Sequence, residues 1–255
     1  MYALFTVSTP LVLRKNMSNF EFLQIFMRCP DCHSVALNLE NTAREIKCKS
    51  CGVPYLISHG RPVLLHPDNE IFCLDDYLHA GLPSPDSPVR GWGRFIPSPS
   101  VNLASERVLA RVVQLLAELP SAMVLVVGGG RQRQCLDKRL GIGDAVLVIY
   151  SDIDVSADVD LFCDGHDLPF LGGVFDLVVT TAVLEHVLYP ERVAAEIHRV
   201  LKVGAMLYSE LPFMQQVHEG AYDFTRYTLS RHRRLFNDFT KIESGMVAGP
   251  GTALV

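Results

Sequence analysis

The sequence predicts an α/β protein, a doubly wound and mostly parallel sheet preceded by a small cysteine-bearing module. Two observations carry this prediction. From about residue 101, apolar runs of strand length alternate with helical segments, which is the pattern of a parallel sheet covered by helices on both faces. Before residue 52, four cysteines stand in two C-x2-C pairs, CPDC and CKSC, a spacing typical of small metal-bound units.

The composition limits the size, the partners and the location of the protein. The 255 residues suffice for one good-sized domain and a small one, and a hydrophobic fraction of 49% supports a sizeable core. A net charge of −5 argues against a broad nucleic-acid footprint. Seven cysteines, an odd number, suit a reducing compartment. The apolar N-terminal run is too short to span a bilayer, so we expect a cytoplasmic protein without membrane contact.

The two cysteine pairs predict a structural zinc site. Each C-x2-C turn points two sulfurs at one centre, and two such turns, 15 residues apart, complete a tetrahedron. Metal binding then supplies the folding free energy of a segment too small to fold on its own core. The predicted ligands are Cys29, Cys32, Cys48 and Cys51. Surface positions are assigned to His33 and His59, and ordinary apolar positions to Cys73, Cys135 and Cys163.

The chain is therefore divided into four parts. They are an N-terminal tail over 1–27, a zinc ribbon over 28–66, a linker over 67–100 and an α/β domain over 101–255. The linker is assigned because its sequence is dense in Pro, Gly and Ser and shows no period.

Strand and helix patterns alternate through the α/β domain after a predicted helix over 103–118. The predicted strands are MVLVV, AVLVIYSD, VDLFCD, FDLVVTTAVL, AMLYSELPF and KIESGMVAG. The predicted helices are RQRQCLDKRLG, ERVAAEIHRVLK and LSRHRRLFNDF.

A ligand site is predicted where the first two strands of this domain end, because doubly wound sheets bind ligands at the carboxyl ends of their strands. The first strand runs into Gly128, Gly129 and Gly130, which allow a sharp turn and a close approach of the backbone to a ligand. Asp152 ends the second strand, 22 residues after Gly130. Nucleoside-binding folds place their ribose-binding carboxylate at about this distance, ~20 residues on. Asp154 is the alternative carboxylate.

Three further segments carry a family resemblance. CDGHDLPF, FDLVVTTAVLEHV and EIHRVLKVGAMLY together resemble the class I S-adenosylmethionine-dependent methyltransferases of the type 11-like group, over roughly residues 101–250. The resemblance implies a Rossmann-like sheet with S-adenosylmethionine as cofactor. It implies that the glycines face the methionine part and that Asp152 holds the ribose. It also implies that Asp164 and Gly165 meet the adenine, while Thr181 and Ala182 line the pocket.

The N-terminal segment carries a second resemblance. CPDC, CKSC and VPYLISHGRPVLL are similar to the zinc-ribbon activator subunits of tRNA and protein methyltransferases, over roughly residues 28–66. This similarity implies a ribbon fused to a methyltransferase catalytic domain and names no substrate. A protein partner that binds through the ribbon belongs to the alternative function given below.

The acceptor is expected to bind beside ELPFMQQVHEGAYDFTRYTLSRHRRLF, since family members carry a similar segment over the acceptor pocket. Methyl transfer needs positioning above all, and a base only where the acceptor must lose a proton. His218 is the candidate base, with Tyr222, Asp223 and Arg226 orienting the acceptor. The alternative is an exposed histidine beside a local Asp223–Arg226 ion pair. The arginines of this segment fit either a solvated helix face or an anion site.

Some positions depart from the family pattern. Val126 replaces the usual acidic residue before the glycines, and Gln132 or Arg133 stands where a third loop glycine is usual. The chain also ends after its predicted sixth strand, where the family has a further antiparallel strand, so either the domain lacks its last strand or the sheet has an open edge.

Three functions are therefore compared. The first is a methyltransferase that acts on a small-molecule or glycan-like acceptor. The second is a catalytically inactive scaffold whose ribbon binds a protein or RNA partner. The third, a dinucleotide oxidoreductase, fits poorly because the glycine fingerprint is incomplete.

Overall fold

The computed structural model describes residues 24–35, 37–38, 45–69, 71–72, 74–79, 103–130, 133–140, 145–213, 217 and 222–246. The strands within these ranges are β1 (Leu37–Asn38), β2 (Glu45–Cys48), β3 (Pro54–Ser58), β4 (Arg61–Leu64), β5 (Ala122–Val127), β6 (Val146–Asp152), β7 (Leu161–Cys163), β8 (Phe175–Thr181) and β9 (Leu201–Glu210). The helices are α1 (Leu74–His79), α2 (Leu103–Ala117), α3 (Arg133–Leu140), α4 (Pro190–Val200) and α5 (Leu229–Leu235).

One mixed sheet contains all the described strands, in the order β1-β2-β3-β4-β7-β6-β5-β8-β9. Every pair from β4 to β9 is parallel, whereas the pairs among β1 to β4 are antiparallel. Counted from β5 along the chain, the five strands of the α/β domain lie in the order 3-2-1-4-5. This is the doubly wound arrangement, and its switch point lies between β5 and β8. The predicted fold class is confirmed.

Strand β5 lies inside the sheet, between β6 and β8, and every one of its residues is buried. Met123, Leu125 and Val127 point to one face of the sheet, and Val124 and Val126 point to the other. Helix α4 covers the first face, and helices α2 and α3 cover the second. The continuous apolar run of the sequence thus reflects burial on both faces.

The cysteine-bearing segment is built into the same sheet. Strand β4 pairs in parallel with β7, with Val63 opposite Phe162 and Leu64 opposite Cys163. A β-bridge joins Met27 to Phe170. Ribbon residues and residues of the α/β domain consequently share one hydrophobic cluster.

Three elements differ from the sequence expectations. The segment predicted as a linker includes α1, whose Tyr77 is 3% exposed. Strand β9 begins at Leu201, earlier than AMLYSELPF implies. The predicted last strand over 241–249 is wrong for its described residues, 241–246, which form no strand. There the side chains of Glu243 and Ser244 bond to arginines of α2 and α5, and no neighbouring strand is within the described ranges.

Within the described ranges, no helix combines the length and the apolar character needed to cross a membrane.

Candidate functional site

The glycine loop at the end of β5 is tightly packed against neighbouring side chains of the protein. Gly128 has φ +72° and donates its N–H to Ser151 O at 2.8 Å. A Cβ at Gly128 would collide with Val183, and one at Gly130 would collide with Ala157. Packing around the loop is therefore enough to require glycine at both positions, independently of any ligand.

Asp152 and the glycine loop lie side by side. The Gly130 N–H donates to Asp152 Oδ2 at 3.3 Å, and Oδ1 accepts the N–H groups of Ile153 and Asp154 at 2.7 and 3.0 Å. Burial raises the pKa of Asp152, although these three N–H groups oppose the shift. Asp154 Oδ1 also closes a local turn, accepting from the N–H and hydroxyl of Ser156. The contact with the glycine loop through Oδ2 is what favours Asp152 as the candidate ligand-binding carboxylate.

Asp164 follows β7 and is held by a chain of hydrogen bonds. Its Oδ1 accepts from His166 N at 2.9 Å and from His166 Nδ1 at 2.6 Å, and its Oδ2 accepts from Asn69 Nδ2 at 3.0 Å. His166 Nε2 accepts the Tyr189 N–H at 3.1 Å, which places the imidazole proton on Nδ1. Burial alone would raise the pKa of Asp164, but the bonds from His166 and Asn69 outweigh it and lower that pKa. Gly165, beside it, is half-buried.

The end of β8 forms the next part of this edge. Thr181 is half-buried, and Ala182 has φ +54°, a strained value for a residue with a side chain. The following turn contains Glu185, which is 0% exposed and whose carbonyl accepts from Phe224 N at 2.9 Å. His186 Nδ1 lies 2.8 Å from Tyr222 O. The turn thus anchors the predicted acceptor segment.

The predicted acceptor residues have different environments in the structure. Tyr222 is 45% exposed and stacks on Phe72, with ring centroids 6.2 Å apart. Asp223 and Arg226 form a bidentate ion pair, with Nη2 to Oδ2 at 2.7 Å, and the hydrogen bonds that Arg226 donates to Asp223 raise the pKa of Arg226. The ion pair named in the alternative interpretation is therefore present. The candidate base His218 lies outside the described residues.

Two departures from the family pattern have a structural explanation. Val126 is buried in the core beneath Gly129. Arg133 turns back onto the sheet, where its guanidinium lies 4.6 Å from the Tyr150 ring centroid and donates to Asp160 Oδ1 at 3.0 Å. Val126 thus belongs to the core beneath the glycine loop, and Arg133 joins the start of α3 to Tyr150 of β6.

The four ribbon cysteines converge on one centre. Their sulfurs lie within 4.8 Å of one another, with Cys29 Sγ to Cys51 Sγ at 3.7 Å and Cys32 Sγ to Cys48 Sγ at 3.6 Å. Four sulfurs at about 2.3 Å from a tetrahedral zinc ion would be about 3.8 Å apart. Each C-x2-C turn is followed by a residue with positive φ, His33 at 57° and Gly52 at 80°. The cluster fits zinc.

A cavity of about 420 Å³ lies elsewhere, between α4 and α5. Its lining includes Glu191, Arg231, Arg234, Asn237, Asp238 and Phe239. None of the predicted cofactor residues lines it.

Sequence reasoning missed three residues at this edge. His166 was inside a quoted motif, but only its hydrogen-bond partners reveal its role. Asn69 and Phe72 fell in the predicted linker. The one available signal was HPDN, a turn sequence immediately after the ribbon.

Comparison with known proteins agrees with this fold. Residues 128–209 match the family model for a methyltransferase domain. This match covers less than half of the chain, and the four-cysteine cluster lies outside it, in the N-terminal region. No curated protein sequence matches the chain.

Solved structures resemble about half of the chain. The (4+2)-cyclase SpnF is 21% identical over 53% of this chain and 57% of its own, with a TM-score of 0.41. Phosphoethanolamine N-methyltransferase 2 of Haemonchus contortus, in complex with S-adenosyl-L-methionine, is 12% identical over 52% of this chain and 36% of its own, with a TM-score of 0.41.

A third similar structure is the complex of the Haloferax volcanii Trm112 methyltransferase activator with a protein described as a methyltransferase. It is 22% identical over 53% of this chain and 71% of that one, with a TM-score of 0.38. At these identities and TM-scores the likeness says nothing about the reaction of this chain.

Proposed function

We propose that this protein is an S-adenosylmethionine-dependent methyltransferase acting on a small-molecule or glycan-like acceptor. The observation that carries the proposal is the contact between Gly130 N and Asp152 Oδ2 at the carboxyl ends of β5 and β6. It joins a close-approach loop to a buried carboxylate within the segment that matches the methyltransferase domain.

Each cofactor residue has a distinct task in this proposal. Asp152 accepts a hydrogen bond from the ribose at Oδ2, the oxygen to which, among the described residues, only the Gly130 N–H donates. Asp164 accepts the adenine amino group, with Gly165 leaving room beside it. Thr181 and Ala182 line the same edge. When bound, the cofactor supplies a methyl group on a positively charged sulfonium, which the acidic edge of this sheet favours.

On the acceptor side, we assign positioning to Tyr222 and to the segment held by the Asp223–Arg226 pair. The backbone bonds from this segment to Glu185 fix it beside the end of β8. His218 is proposed as the base for an acceptor that must lose a proton. A His218→Gln protein should then keep cofactor affinity and lose turnover.

The four cysteines are proposed to hold structural zinc. Tyr55 Oη lies 3.0 Å from Cys29 Sγ and accepts the Asp31 N–H at 3.2 Å, so the phenol hydrogen is directed at the sulfur. Such a hydrogen bond stabilises a metal-bound thiolate. An odd number of cysteines and four converging thiols suit a reducing compartment, and we therefore place the protein in the cytoplasm.

Calorimetric titration of the zinc-loaded protein with S-adenosylmethionine and S-adenosylhomocysteine tests the cofactor proposal. Asp152→Asn and Asp154→Asn form a matched pair, because each exchanges one carboxylate for an amide. Micromolar binding that Asp152→Asn abolishes and Asp154→Asn preserves is the expected result. No binding by the folded intact protein would overturn the proposal, and sensitivity to Asp154→Asn alone would move the ribose site.

A catalytically inactive scaffold with a protein or RNA partner on the ribbon is the second candidate. The observation in its favour is Val126, buried where the family carries an acidic residue. This candidate predicts a folded protein with no affinity for either cofactor form, so the same titration separates the two.

A further inference from the structure

The segment that follows the ribbon reaches the same edge of the sheet as the proposed cofactor site. Parallel strands present their carboxyl ends at one edge, and β4 is paired in parallel with β7. Asn69 lies five residues after β4, and Asp164 directly follows β7. The hydrogen bond between their side chains, 3.0 Å long, follows from this pairing.

The hydrogen bonds of the Asn69 side-chain oxygen fix the orientation of its amide NH2 group. Its Oδ1 accepts the N–H groups of Ile71 and Phe72 at 3.0 and 2.9 Å, closing a turn. The amide NH2 group consequently faces Asp164 Oδ2. Just beyond, α1 is fixed by Tyr77, whose hydroxyl donates to Ile153 O at 2.6 Å. The segment is thus attached at both ends to the carboxyl edge of the sheet.

The acceptor capacity of Asp164 is nearly filled by these contacts. A carboxylate has about four lone-pair sites. Among the described residues, His166 uses two at Oδ1, and Asn69 uses one at Oδ2. One acceptor position at Oδ2 is left, and it suits a single N–H donor. A carbonyl oxygen at that position would meet a carboxylate and be repelled.

We propose that Asn69 is a positioning residue that orients Asp164 to select a nucleobase bearing an exocyclic amino group. The proposal rests on the proposed function, since it assigns Asp164 to the adenine of the cofactor. It makes the chain that leaves the ribbon a determinant of cofactor specificity.

The test is the ratio of affinities for S-adenosylhomocysteine and its deaminated analogue, S-inosylhomocysteine, measured by calorimetry on the zinc-loaded protein. Asn69→Asp keeps an acceptor for the turn but places a second carboxylate about 3 Å from Asp164, where two such groups do not both ionise. Asn69→Ser also keeps a turn acceptor and is too short to reach Asp164. Asp68→Asn, an exposed neighbour, is the control.

We expect the intact protein and the Asp68→Asn control to prefer the adenine form by at least about tenfold, the worth of one hydrogen bond to a charged group. In both Asn69 variants the ratio should fall toward one. A variant that binds both ligands more weakly at an unchanged ratio would overturn the proposal, because Asn69 would then only close its turn. Equal binding of both ligands by the intact protein would overturn it and leave the cofactor proposal standing. No binding of either would overturn both.

Discussion

Two aspartates at one edge of the sheet have opposite environments. Burial raises the pKa of Asp152, whereas the hydrogen bonds to Asp164 overcome its burial and lower its pKa. Asp164 therefore stays ionised in a pH range where Asp152 becomes protonated. A raised carboxyl pKa also means that the charged form of Asp152 disfavours the folded state at neutral pH, a cost typical of a site that awaits a ligand.

Cofactor affinity should therefore depend on the protonation of Asp152. As pH drops through the raised pKa of Asp152, above the value of about 3.9 for a free aspartate, the carboxyl group gains a proton and loses an acceptor for the ribose. Asp154, whose negative charge contributes to the shift, stays in its own turn. Calorimetry across pH should show this fall in the intact protein. Any residual affinity of Asp152→Asn should show none, and a parallel fall in that variant would assign the titration to another group.

Gly128→Ala should lower both stability and cofactor affinity. A Cβ there adds the strain of a positive φ to a collision with Val183, together about 2–4 kcal/mol of unfolding free energy. Gly173→Ala is the matched control, because φ is +69° there and nothing lies within 4 Å of the added Cβ. It should cost about 1 kcal/mol and leave cofactor binding intact. If denaturant titrations gave both variants the same loss of unfolding free energy, the collision with Val183 would carry no cost, which would contradict this prediction.

At the scale of elements, the ribbon is attached to the α/β domain through Arg28 as well as through β4. Its guanidinium donates to Asp167 Oδ1 at 2.6 Å and to Glu196 Oε2 at 3.0 Å, and its side chain is 12% exposed. The Arg28 N–H also donates to Pro169 O at 3.1 Å. Arg28, which directly precedes the first cysteine, thus connects the ribbon to residues 167–169 and to α4.

Arg28→Met should cost about 2–3 kcal/mol, since it removes the guanidinium from the partly buried Asp167 and one of the two arginine contacts of Glu196, which keeps Arg199 at 2.6 Å. Arg231→Met, which removes an ion pair to Glu191 with both partners about half exposed, should cost less than about 1 kcal/mol. Chemical denaturation of both variants measures the difference. A cost for Arg28→Met no larger than that of its control would mean that strand pairing alone holds the ribbon in place.

The elements were predictable where the signal is local. Apolar period, the C-x2-C spacing and the 22-residue interval each lie within a short stretch, and each produced a strand, a cluster or a carboxylate at the expected place. The pairing of β4 with β7 was not predictable. Its partners, Val63 and Phe162, are about 100 residues apart, and no local sequence pattern indicates that the two strands pair. For the same reason Asn69 was assigned to a linker.

At the scale of the molecule, ribbon and sheet form one core. Met27, Cys29 and Tyr55 belong to the same buried cluster as Phe170 and Ile197. Because neither part buries that surface alone, we expect them to unfold together.

Removing zinc should therefore destabilise the whole chain. A chelator should lower the melting temperature of a single transition followed by both far-ultraviolet and near-ultraviolet circular dichroism. Cys48→Ser should show the lowered temperature without a chelator and no further change with one. Two separate transitions, with the sheet melting as before, would contradict the shared core.

The most direct measurement is a crystal structure of the zinc-loaded protein with S-adenosylhomocysteine bound. This account predicts the ribose hydroxyls within hydrogen-bond distance of Asp152, the adenine amino group at Asp164 Oδ2 beside Asn69, and the thioether chain over Gly128–Gly130. Ligand density in the cavity between α4 and α5, with the carboxyl edge of β5 and β6 left empty, would contradict it.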